Sequence, residues 1–158
     1  MGTVITFDEA PTPAANGTPV TDQWSGFNVT FGPGLQWDEL APGENWGGVT
    51  GGSLFHSYGS DEWQELTVQF AIPVMAAGFD LRAGDATRNP FITFSAFSGS
   101  NLIESFSTNV PLTFSPTPEQ FYGFTGIVFD RITIDMPNPV LGPPCCGANL
   151  DNVSIWIM

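Results

Sequence analysis

The sequence predicts an all-β fold, an antiparallel β-sandwich or barrel of about ten short strands, and three observations carry that expectation. Glycine (18) and proline (14) together occupy 32 of the 158 positions. The longest stretch free of both, Ser60 to Ile72, is only 13 residues long, and its apolar residues alternate instead of recurring every three or four. A helix of average length has almost nowhere to sit. Between the breakers lie short β-patterned segments, spaced roughly every 8 to 15 residues, as in sandwiches and barrels.

The expected strands fall near Val4–Phe7, Phe27–Phe31, Ser53–Tyr58, Glu65–Phe70, Ala76–Leu81, Phe91–Phe97, Leu102–Ser107, Phe121–Phe124, Ile127–Ile134 and Asn152–Ile157. In Glu65–Phe70 the apolar residues Leu66, Val68 and Phe70 alternate with polar ones, so one face is buried. Asn152–Ile157 repeats the pattern, with Val153, Ile155 and Ile157 inward. Phe91–Phe97 is apolar on both faces, which suits a central strand covered on both sides. Gly32-Pro33-Gly34, Ala41-Pro42-Gly43, Gly51-Gly52 and Pro143-Pro144 mark loops. With no repeat and no linker, residues 1–158 are expected to form a single β-sandwich domain.

Composition narrows the partners. Charged residues are 12% of the chain, against about 25% in an average soluble domain. Sixteen acids face three arginines (Arg82, Arg88, Arg131) and no lysine, for a formal charge of −13. Such a chain repels phosphate backbones, so neither nucleic acid nor an anionic membrane surface is an expected partner. The absence of lysine removes Schiff-base chemistry and the P-loop. No run approaches the roughly 18 apolar residues of a membrane span, so no membrane insertion is expected. No basic, apolar N-terminus marks a signal peptide in this sequence.

The long irregular stretches are Pro11–Trp24, Gly32–Gly52 and Met136–Ala148, and long loops in compact domains commonly carry function. Four of the five tryptophans, Trp24, Trp37, Trp46 and Trp63, lie in the first 63 residues. Sugar rings stack their C–H faces on indole, while neighbouring Gln36, Asp38, Glu39, Glu44 and Asn45 offer bonds to hydroxyls. Trp37, Trp46, Tyr58, Trp24 and Glu44 are the candidate ligand contacts. Trp37 and Trp46 are the ones expected to be exposed, because Gly/Pro-rich flanks make poor core sequence. The competing expectation is that several of these rings plug the sandwich.

Phe7-Asp8, Gly17–Trp24, Gly26–Phe31, Phe70–Val74 with Gly78–Leu81, Phe121–Phe124, Ile132–Ile134 and Asn149–Val153 resemble secreted bacterial β-sandwich domains of the PEP-CTERM-associated type. The acid after the first strand and the closing Leu150-Asp151-Asn152-Val153 also resemble jelly-roll carbohydrate-binding modules. The resemblance implies a jelly-roll sandwich, an extracellular location, a polysaccharide or glycan partner and a structural calcium. Asp8 and Asp151 are 143 residues apart, yet terminal strands of a jelly roll are commonly neighbours. Asp8, Glu9, Asn149 and Asp151 would begin a set of six to eight hard oxygens. The alternative for these acids is capping of backbone amides in turns. The sequence departs from the resemblance in lacking the terminal sorting segment and in its Pro143-Pro144-Cys145-Cys146 loop, which is not part of the pattern.

Catalytic signals are sparse. The sole histidine, His56, lies on an expected strand, and there is no Gly-x-Ser-x-Gly elbow to pair with it. No acid-x-acid pair exists to set two carboxylates on one strand face, although a dyad across strands involving Glu62 or Glu65 with Asp80 remains open. Cys145 and Cys146 are adjacent, too close for an unstrained disulfide, leaving cross-chain pairing or free thiols. The expected role is non-catalytic glycan binding. A self-associating matrix subunit and a small polysaccharide-active enzyme are the alternatives.

Overall fold

The structure, a computed structural model, is described for residues 2–8, 16–32, 34–40, 42, 49–57, 65–84, 91–110, 120–135 and 147–157, the side chains of 56, 57, 83, 84 and 147 excepted. The strands are β1 (Gly2–Ile5), β2 (Thr18–Pro19), β3 (Val29–Phe31), β4 (Leu35–Glu39), β5 (Gly52–Ser57), β6 (Leu66–Gly84), β7 (Phe91–Ser98), β8 (Asn101–Asn109), β9 (Phe121–Asp135) and β10 (Gly147–Ile157). All pairings among them are antiparallel. One 3₁₀ turn, Ser25–Phe27, leads into β3.

Hydrogen bonding joins all ten strands into one continuous sheet, but that sheet folds over on itself. The first layer runs β3, the early part of β6, the late part of β9, β7 and β8. The second runs the early part of β9, the late part of β6, then β10. Beyond β10 lie β5, β4 and β2 at one end and β1 at the other. β6 and β9 therefore belong to both layers. Their ladder steps from Gln69↔Arg131 to Val74↔Phe129 and then to Ala76↔Thr125. Residues 70–73 of β6 and 126–128 of β9 fall out of register there, as at the bulged corners by which strands switch sheets. Pro73, which has no N–H to donate, sits in the β6 gap, and Gly126 (φ 79°) supplies the left-handed residue in β9.

About ten strands are expected and ten lie among the described residues, with a different partition. Glu65–Phe70 and Ala76–Leu81 are two halves of β6, and Phe121–Phe124 and Ile127–Ile134 two halves of β9. β4 lies inside the stretch expected to be a loop.

Alternation places the core between the layers. Leu66, Val68 and Phe70 are buried, as are Phe79 and Leu81 later in β6, and Val153 and Ile155 in β10. Aromatic rings bridge the gap. Phe94 of β7 meets Phe79 (centroids 6.1 Å) and Tyr122 (5.0 Å, stacked), and Phe106 of β8 meets Phe124 (5.3 Å). At the other end Phe7, Trp24 and Phe31 form a T-shaped triad with centroids 5.0 to 6.4 Å apart. Each such pair adds about 0.5–1.5 kcal/mol beyond its buried area.

The expectation that β7 is covered on both faces does not hold. Ile92, Phe94 and Ala96 are buried, but Phe91 is 52% exposed. Phe97 is half-buried under the Arg131 guanidinium, whose carbon lies 4.5 Å from the ring centroid. The outer aromatics of β7 thus serve a cation–π contact and a sheet rim, not a third layer.

Phe94 contacts rings from three other strands, so Phe94→Ala should lower unfolding free energy by about 3–5 kcal/mol in denaturant titration. Phe91→Ala, removing an exposed ring on the same strand, should cost less than about 1 kcal/mol. Equal costs would mean that the layers are not held together by the rings assigned here.

Candidate functional site

The edge of β10 changes partner midway. Gly147–Leu150 pair with β5, while Val153–Trp156 pair with β1. At Asp151 and Asn152 the chain leaving β1 and the chain entering β5 meet. The β10–β6 ladder bulges at the same level, stepping from Asp151↔Asp80 to Ser154↔Gly78.

Three residues at this junction have left-handed backbone: Phe7 (φ 59°), Gly51 (φ 61°) and Asn152 (φ 50°). Glycine and asparagine tolerate that region; phenylalanine pays about 1–3 kcal/mol. Phe7 is held there because its ring is fully buried against Trp24 and Phe31, and its carbonyl accepts the Trp37 indole N–H at 3.2 Å. At Gly51 a Cβ would collide with the Asp8 carboxylate.

The carboxylates at the junction satisfy the start of β5. Gly52 N–H donates to Asp8 Oδ1 (2.7 Å) and Thr50 N–H to Asp151 Oδ2 (3.0 Å), while Asn152 N–H donates to Asp151 Oδ1 (2.6 Å). Asn152 Nδ2 donates to Asp80 Oδ2 (2.8 Å).

Pairing parity puts a row of polar side chains on the outer face of the second layer. Phe55, Asn149 and Arg82 are aligned across β5, β10 and β6, and Asp151, Asp80 and Phe121 across β10, β6 and β9. Asp38 and Ser53 continue the face onto β4 and β5. Ser53, Asn149, Arg82, Asp80 and Asp151 are all buried. Arg82 Nη1 donates to Asn149 Oδ1 (3.4 Å), Asn149 Nδ2 to Ser53 Oγ (3.1 Å), and Ser53 Oγ to the Asp38 carbonyl (3.4 Å). Nearer solvent stand Gln36, Asp38, Phe55, Asn152 and Phe121.

Electrostatics at the junction are unbalanced. Burial pushes the Asp151 carboxyl up to about 8, with the like charges of Asp8 and Asp80 adding to it. The amides of Thr50 and Asn152 pull the other way. Burial also raises Asp38, against a bond from the Glu39 amide.

Two of the expected ligand contacts need correction. Trp24 is fully buried in the Phe7–Phe31 triad, and Trp37 is only 6% exposed. The reason is β4: Leu35 and Trp37 point inward while Gln36 and Asp38 point out, so the Gly/Pro-flanked segment is core after all. Neither indole offers a face to a ligand. Trp46, Tyr58, Glu44 and Glu9 lie outside the described residues. Of the expected metal ligands, Asp8 and Asp151 do converge, and both accept backbone amides. Asn149 stands on the same face as Asp151, its amide bonded to Ser53 and Arg82. Among the described residues no three His, Cys, Asp or Glu side chains come together as a metal-binding group. Sequence reasoning passed over Ser53 and Arg82. A signal existed: Asp80 and Arg82 alternate with Phe79 and Leu81, which marks them as outward-facing.

No protein-family model matches the chain, and no curated protein matches its sequence. Solved structures do. The chain is similar to an arabinose-bound α-L-arabinofuranosidase (12% identity, TM-score 0.50), with 96% of this chain covering 28% of that one. A family 29 carbohydrate-binding module aligns at 10% identity and TM-score 0.49, over 98% of this chain and 87% of its own. A variant of such a module complexed with mannohexaose aligns at 11% identity and TM-score 0.47. The likeness is one of fold.

The Asp151 shift fixes a pH dependence. Folded Asp151 holds its proton to about pH 8, whereas the unfolded chain releases it near 3.9. Between those values the folded state binds more protons, so stability falls as pH rises. Denaturation midpoints in chelator should decline from pH 5 to pH 8.5. Asp8→Asn, which removes one neighbouring charge, should make that decline shallower. A midpoint that rises with pH would contradict the assignment.

Proposed function

We propose that this chain is a non-catalytic carbohydrate-binding domain of the secreted bacterial, PEP-CTERM-associated kind. It works outside the cell, with a structural calcium at the β1–β10–β5 junction. The observation that carries the reading is the outer face of the second layer. Buried Ser53, Asn149, Arg82 and Asp80 form its fixed underlayer. Polar groups at Gln36, Asp38 and Asn152 and ring carbon at Phe55 and Phe121 lie nearer solvent. Glycan recognition needs that combination of oriented hydrogen-bonding groups and apolar ring surface. Asp80, the acid named with Glu62 or Glu65 for a cross-strand dyad, is 4% exposed, too enclosed for a glycosidic bond to reach. A glycan array run with and without chelator tests the reading: retention on at least one glycan supports it, and retention on none overturns it.

Calcium is supported by the chemistry of the junction. Asp8 and Asp151 are hard-oxygen donors brought together at one point, and a divalent ion would offset both the burial and the like-charge repulsion that raise Asp151. Asn149 and Glu9 keep their places in the proposed ligand set. A ligand that binds only the folded state adds about 2.7 kcal/mol at a hundredfold excess over its dissociation constant. Chelation should then lower the melting temperature by roughly 5–10 °C for a domain of this size. Asp151→Ala should abolish the response. Identical melting curves in calcium and in chelator would remove the ion from the proposal.

A matrix or filament subunit is the second reading, favoured by β8. This nine-residue strand ends the sheet, carries one charge (Glu104), and exposes Leu102 and Ile103. Such edges invite pairing with another copy. Light scattering separates the two, since the first reading expects a monomer at neutral pH.

A further inference from the structure

We infer that glycan stacks on Phe121 and Trp156, and that the ligand is an uncharged, extended polysaccharide chain. The inference rests on the carbohydrate-binding reading above and moves its contact surface away from the tryptophans of the first third of the sequence.

Register places both rings on one face. Phe121 is the cross-strand partner of Asp80, and Trp156 of Ala76, so both share the parity of Asp80, Gly78 and Ala76 on β6. The opposite parity, Phe79 and Ala77, is buried in the core. Between the two rings the face is made of small residues: Gly78 and Ala76 on β6, Gly123 on β9 and Ser154 on β10. Among the described residues nothing tall separates the rings.

Each ring also reaches over a glycine. A Cβ added at Gly78 would come within 2.5 Å of Phe121 Cε1 and Cζ. A Cβ added at Gly2 would come within 2.9 Å of Trp156 Nε1 and 3.3 Å of its Cδ1. The rings therefore cover the sheet surface where side chains are missing. They leave carbon uncovered, with Phe121 50% and Trp156 45% exposed. Half-exposed rings packed against a sheet are what stacking on a sugar ring requires, and they lose little side-chain freedom on binding.

Spacing and charge select the ligand. The two residues are anchored two strands apart and four residues apart along the sheet, roughly 16 Å between Cα atoms. The rings over Gly78 and Gly2 are on the order of 12 Å apart on standard strand geometry. That exceeds the length of a disaccharide, so engaging both rings takes a chain of several sugars. Among the described residues this face sets Asp38 and Asp80 against Arg82, an acidic balance within a chain of net charge −13. Uronate and sulfated polymers are repelled by that balance, as is a second copy of the chain.

Affinity electrophoresis tests this with native protein in gels containing a neutral polymer (β-glucan, glucomannan or arabinan) or an anionic one (alginate or polygalacturonate). The wild type should be retarded by at least one neutral polymer and by neither anionic one. Phe121→Ala and Trp156→Ala should each weaken retardation roughly tenfold, and the double variant should abolish it, with melting temperatures near wild type. Phe121→Leu, which still fills the space over Gly78 but lacks a flat ring, should behave as Phe121→Ala does and covers the case in which alanine unfolds the strand. Wild-type retardation with an unaffected double variant overturns the platform while leaving glycan binding standing. Retardation by the anionic polymers alone overturns the neutral-ligand assignment. No retardation on any polymer overturns the platform together with the reading on which it rests. A double variant that loses self-association but keeps retardation would make this face a contact between copies, and would also overturn the inference.

Discussion

Two strands shared between layers hold this molecule together. Because β6 and β9 pair with each other along both layers, their turn at the corner decides where every other strand can lie. β3, β7 and β8 attach on one side of that corner, and β10 with its neighbours on the other. The corner itself is built from a proline where no amide is wanted and a glycine where the backbone turns left-handed. The aromatic bridge of Phe79, Phe94 and Tyr122 then fills the wedge that the corner opens.

The same logic of shared strands creates the junction on the other side of the sheet. β10 lends one edge first to β5 and then to β1, and the amides stranded between those ladders must find acceptors. Asp8 and Asp151 are those acceptors, which explains why acids are buried in a chain so poor in cations. Three left-handed residues and a raised carboxyl are the local cost, and packing around the Phe7 ring sustains it. The outer face beside the junction inherits its fixed polar underlayer from the same residues.

Much of the fold was legible because a period of two is written directly into strands such as Glu65–Phe70 and Asn152–Ile157. β4 was not, although Leu35-Gln36-Trp37-Asp38-Glu39 alternates just as cleanly. Its Gly and Pro flanks resemble a loop, and only pairing with β5 and β2 shows that Trp37 belongs to the core. Convergence of Asp8 and Asp151 was readable from the neighbouring terminal strands. Trp156 was already marked as outward by the inward run of Val153 and Ile155. Its companion Phe121 was not, because which rings share a face depends on register across β6, and register is a property of pairs of strands. Whether a tryptophan plugs or projects is decided the same way.

The pairing of β1 with β10 has a mechanical consequence. Gly2 lies opposite Trp156, so the first and last described strands enter and leave side by side at one end of the second layer. Tension applied through those two strands would peel them apart one hydrogen bond at a time instead of shearing the whole ladder at once. The first bonds to open hold Gly2 against the Trp156 indole. A domain pulled in this way would disturb its own surface aromatic while the corner, the ring bridge and the acid junction remained closed.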